Sequence, residues 1–169
     1  MESKYSTFEA RVIAGLLDGL VFAPLIVIDR FIDSPEDGVG LFLIWSAIAY
    51  SAVWLYSVLF HTLSGQTLGK RAVGVKVLDI SETRTPTLLQ AVLRDSVYIA
   101  LNTAALCYLV VLVVSGRYTE TGFSESWLSH VAEWIAGGWF AIEVVTMLMN
   151  SKRRALHDFI ARTVVVHSA

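Results

Sequence analysis

Four long apolar runs constrain this chain more than any other feature. They cover about residues 8–28, 41–60, 96–115 and 131–150. Each approaches the ~20 residues that a helix needs to cross hydrocarbon. Within 169 residues, 55% of them hydrophobic, four such runs leave no room for a separate soluble domain. The expectation is an all-α membrane protein: a four-transmembrane-helix bundle, one domain over residues 1–169, with the lipid bilayer as its main partner. The opening "MESKYSTFEAR" carries two glutamates, and Asp18 interrupts the apolar run that follows. That argues against a cleaved secretory signal and for a first span. The single cysteine, Cys107, excludes a disulfide within one chain.

Charge sets the expected orientation. Eleven of the thirteen basic residues fall before or at the first run, between runs two and three, or after run four; only Arg30 and Arg117 lie elsewhere. Basic residues stay inside. The pattern predicts a multi-pass protein of the cell membrane, with both termini, the loop 61–95 and the tail 151–169 in the cytoplasm.

The central loop carries the local signals. "SGQTLGKRAVG" reads as a turn region. "AVGVKVLDI" alternates like a strand, and "TVVVH" near the end is a second candidate. A single exposed strand is marginal, so residues 163–167 are expected to pair with 72–78 as a small cytoplasmic strand pair. Thr85 and Pro86 suggest a cap and first turn. Leu88, Leu89, Val92 and Leu93 then mark a short amphipathic helix lying along the interface before the third span. Leu156, Phe159 and Ile160 form a second short apolar stripe.

Several motifs fail. "GQTLGKR" has three residues between its glycines and Arg71 where a phosphate loop needs Ser or Thr. His61, His130, His157 and His167 have no zinc spacing. No nucleophile constellation stands out. Neither an enzyme, a metal, a cofactor nor nucleic-acid binding is expected.

The first span holds the sharpest constellation. Arg11, Ala14, Gly15, Asp18, Gly19 and Phe22 share one helical face. Gly15 and Gly19 form a G-x-x-x-G pair, which predicts close helix packing. Asp18 is therefore expected to face protein, since a carboxylate in lipid costs about 2.5–3.5 kcal/mol. At 1.5 Å per residue, Asp18, Asn102 and Glu143 each lie about 9–12 Å in from the same membrane face, bracketed by Ser51 and Ser57. Two close carboxylates cannot both ionise cheaply. The three residues are thus candidates for binding a proton or a small cation. Arg11 lies too shallow for Asp18, and Asp158 in the tail is its better partner.

"ARVIAGLLDGL", "GQTLGKRAVGVKVLD", "LLQAVLRD" and "RRALHDFIARTVVV" together resemble the RDD family of bacterial and archaeal membrane proteins. The resemblance implies that Arg11, Asp18 and Asp158 are the family's arginine and two aspartates. It also implies a helical protein of a prokaryotic cell membrane. Transport, including cation/proton exchange, is the family's proposed activity. The expected function is therefore a small transporter, such as a monovalent cation/proton exchanger, acting as a homo-oligomer because four spans are few. The alternative is a non-transporting scaffold or accessory subunit whose buried charges are structural.

Overall fold

The computed structural model describes residues 2–32 and 34–168. It is mostly helical. After a short α1 (Glu2–Tyr5), the first apolar run forms α2 (Phe8–Val21) and α3 (Ala23–Asp29). The two are bent by 41° at Phe22. Pro24 supplies the cause: it lacks a donor, and its ring clashes with the carbonyl four residues back. The ladder tightens there, with Phe22 donating to the Gly19 carbonyl and Leu25 to that of Phe22. Three further helices are long and apolar enough to cross a membrane: α4 (Val39–Ser64), α6 (Leu88–Val114) and α8 (Trp127–Met149). The bent pair makes a fourth if it is one span. Their outward faces are apolar: Leu16 is 70% exposed and Trp134 82%. Apolar surface on this scale fits lipid, not water.

The segments after α4 and after α8 meet at one end. α4 stops at Gly65, whose φ of 73° is left-handed and whose N–H bonds the His61 carbonyl. A side chain at Gly65 would also run into the Val77 carbonyl, 2.5 Å from an ideal Cβ. Glycine therefore serves both the turn and the close approach. α5 (Leu68–Ala72) follows, capped by Thr67. β1 (Val75–Asp79) then pairs antiparallel with β2 (Thr163–His167), in register Val75 with His167, Val77 with Val165 and Asp79 with Thr163. Val75, Val77 and Val165 are fully buried, with Ala10 and Val73 against them. This patch joins the start of α2 to the sheet. The last helices are α7 (Glu120–Ser124) and α9 (Leu156–Ile160).

Four expectations change in detail. The strand starts at Val75, not residue 72, because Leu68–Ala72 is helical. The amphipathic segment 88–94 is not a separate interfacial helix. It is the first two turns of α6, because no breaker separates Leu88 from Val114. Its cap is Thr87, not Thr85: the hydroxyl accepts from the Gln90 N–H, and Gln90 Oε1 accepts from the Thr87 N–H. Gly15 and Gly19 do not pack another helix of this chain. Both are exposed, and a methyl group at either would meet nothing within 4 Å. The close approach is made by buried Ala14 against Gly69 of α5, where a Cβ would sit 2.9 Å from the Asp18 Cγ.

Candidate functional site

Asp158 is the centre of the charged site. It occupies the first turn of α9, and its Oδ2 accepts from the Ala155 N–H at 3.0 Å. A carboxylate at that position satisfies an orphan donor of the helix start. The side chain is fully buried, so its remaining capacity must be filled. Arg11 from α2 donates through Nη1 to Oδ2 at 2.7 Å. Arg94 from α6 donates through Nη1 to Oδ1. Thr163 of β2 adds its hydroxyl to Oδ1 at 3.0 Å and accepts from Arg94 at 3.0 Å. Burial alone would raise the Asp158 pKa. The charges of Arg94 and Arg11 outweigh it and hold the carboxyl well below the usual range. One carboxylate thus ties α2, α6, α9 and β2 together. The expected Arg11–Asp158 pair is present. Arg94 is buried and is the second guanidinium of the site.

Asp18 belongs to a separate knot. Its Oδ1 accepts from the Tyr56 hydroxyl and the Gly69 N–H, both at 2.7 Å, and its Oδ2 from the Thr67 hydroxyl at 2.6 Å. The Tyr56 oxygen in turn accepts from the Leu68 N–H at 2.7 Å. Asp18 therefore faces protein, as expected, and pins the start of α5 against α2 and α4. Nearby, desolvation and the Arg94 charge push the Lys70 ammonium down to about 8.

The shared polar layer of Asp18, Asn102 and Glu143 does not form. Among the described residues no hydrogen bond joins any two of them. Asn102 turns back to donate to the Tyr98 carbonyl at 2.8 Å. Ser51 likewise bonds its own helix, at the Ala47 carbonyl. Glu143, buried in α8, pairs through Oε1 with the Nδ1 of His157. Depth along separate helices was a poor guide here, because each carboxylate found a nearer partner in a connecting segment. His157 sits beside Asp158, its Nε2 3.7 Å from Oδ1. That Nε2 is buried with no hydrogen-bond partner, as are Arg11 Nη2, His61 Nε2 and Asp95 Oδ2. From the sequence, His157 is considered only as a zinc ligand and set aside. The i, i+1 spacing of His157 and Asp158 at a helix start was the available signal.

A third cluster clasps the chain's start. Glu82, with a left-handed φ of 60°, accepts from Lys4 Nζ and Lys152 Nζ at 2.7 Å each and from the Tyr5 hydroxyl at 2.8 Å. The hydrogen bonds from Lys152 and Lys4 push its carboxyl down to about 2. Its stabilising effect is therefore complete above the unfolded value of about 4.3 and is lost as pH falls toward about 2. Thermal unfolding in detergent should show a constant gap between wild type and Glu82→Gln at pH 5–7. The gap should close near pH 2; one independent of pH would refute the assignment.

Long apolar helices with lipid-suited faces, closed at one end by buried ion pairs and a small sheet, define a multi-pass membrane protein. The order and partners of Arg11, Asp18 and Asp158 narrow this further. The chain belongs to the RDD family, whose sequence model matches residues 5–162. No curated protein and no solved structure matches it.

Proposed function

We propose that the protein is a non-enzymatic membrane transporter exchanging a monovalent cation for protons. It would cross the membrane four times, with the sheet end and both termini in the cytoplasm. The bias of basic residues toward the sheet end supports that orientation. The observation that carries the reading is the buried Glu143–His157 pair. An acid inside an apolar helix is costly and marks a functional site by default. Here it meets a histidine, the side chain whose unperturbed pKa lies nearest neutrality. The unpartnered Nε2 of that ring lies 3.7 Å from Asp158 Oδ1, so the ring sits between two carboxylates. The Glu143–His157 pair, not Asp18, is therefore the proton-carrying site in this reading. A homo-oligomer is part of it, with the open Gly15–Gly19 side of α2 available to a second copy.

Purified protein in vesicles holding a pH-sensitive dye tests this. A sodium or potassium pulse should move protons, and Glu143→Gln should slow that movement at least tenfold while leaving the protein folded. Equal flux from wild type and Glu143→Gln would end the proposal.

A second reading, a scaffold or accessory subunit, is favoured by the pairing of Asp18. Three donors already occupy its oxygens, as a structural lock requires. Here vesicles should show no flux, and a stoichiometric partner should copurify from native membranes. Replacing residues 69–78 should release it.

A further inference from the structure

At the end of the helices remote from the sheet, a cavity of about 380 Å³ opens between α3, α4, α6 and α7. That size falls in the range of small-molecule sites. Its walls combine four aromatic rings, Phe42, Tyr50, Tyr118 and Phe123, with two carboxylates, Asp29 and Glu120. The Phe42 and Tyr118 rings lie 5.1 Å apart, and Tyr118 and Phe123 6.4 Å. Trp45 Nε1 donates to Asp29 Oδ1 at 2.9 Å and so fixes that carboxylate at the rim. A second cavity of about 340 Å³ shares Tyr118 and Glu120 and adds Glu36. Among the described residues, no Lys, Arg or His lines either one.

We propose that this aromatic and acidic cavity binds a small organic ammonium cation. The lining selects that chemistry by elimination. An anion would meet carboxylates with no counter-charge. A neutral apolar molecule would give the two exposed carboxylates no counter-charge. A hard metal cation would use the oxygens of Asp29, Glu120, Ser46 and Asn102 but gain nothing from the four rings. An alkylammonium satisfies both wall types: its charge meets the carboxylates, and its C–H groups lie on the electron-rich ring faces. Free amines and lipid headgroups both carry this chemistry. The proposal deepens the transport reading by naming a class of cation. It rests on that reading only where the bound cation is also the one carried.

Equilibrium dialysis of the full chain in phosphatidylglycerol nanodiscs against radiolabelled tetraethylammonium tests it. Saturable binding is expected. Glu120→Gln and Tyr118→Ala should each weaken it at least tenfold, and Tyr118→Phe should restore it. Sodium at equal concentration should not compete. Saturable binding in a preparation that shows no cation-driven proton flux would fail the transport reading and keep this one. Phosphatidylcholine nanodiscs identify the source: weakened binding there points to a lipid headgroup, and unchanged binding to a free cation. No saturable binding, equal binding in Glu120→Gln and Tyr118→Ala, or full competition by sodium would overturn the proposal.

Discussion

Asp158→Ala should destabilise the protein by about 3–5 kcal/mol, because removing one partner of a buried pair leaves charge uncompensated. Here it leaves two. Arg11 and Arg94 are 10% and 6% exposed, so neither can swing out to water without repacking its helix. The α9 start also loses its acceptor at the Ala155 N–H. At roughly 2–4 °C per kcal/mol for a chain of this size, the melting point in detergent should fall by about 10 °C. The loss should be the same from pH 8 to pH 5. The stabilising effect of a depressed carboxyl is complete above its unfolded value of about 3.9 and disappears only as pH drops through the lower folded value. A shift under 2 °C, or one that grows between pH 8 and pH 5, would contradict the arrangement described.

Asp18→Ala should act locally. It removes one acceptor from three donors, on Tyr56, Thr67 and Gly69. Hydrogen bonds to a charged group are worth about 1.5–3 kcal/mol each, though not additively. The expected loss is about 3 kcal/mol, concentrated on α5. Limited trypsin digestion reads this directly, since Lys70 and Arg71 lie on that helix. Cleavage after Arg71 should be at least tenfold faster in the variant, while cleavage at Arg117 should keep its wild-type rate. Gly69→Ala should give the same pattern by a different cause, because its methyl group would press on the Asp18 carboxylate and the Ala14 carbonyl. Unchanged cleavage at Arg71 in both variants would mean that α5 does not depend on Asp18.

Much of this was legible in the chain itself. Spans follow from length and composition, and strand pairing from one alternating valine segment and one short valine run, each marginal alone. Arg11–Asp158 followed from depth and from the resemblance of the segments carrying them. Other features were hidden for a physical reason. Periodicity says which residues share a face, but not what covers it. The face holding Ala14 and Asp18 was read as a helix-packing surface; a five-residue helix from a loop covers it. Arg94 on a sequence helical wheel is an ordinary polar position. Only the fold, by bringing residues 94, 158 and 163 together, makes it a buried cation. Glu143 and Asp18 illustrate the same limit, since equal depth on two helices does not imply proximity.

The uninterrupted α6 has a mechanical corollary. Its 27 residues form a rod about 40 Å long at 1.5 Å per residue. Near one end Arg94 grips the carboxylate of Asp158. Farther along, Asn102 and Leu109 line the remote cavity. With no hinge between them, the rod cannot tilt at one end alone. The residue that holds Asp158 and two residues that wall the remote cavity are thus carried on one unbroken helix.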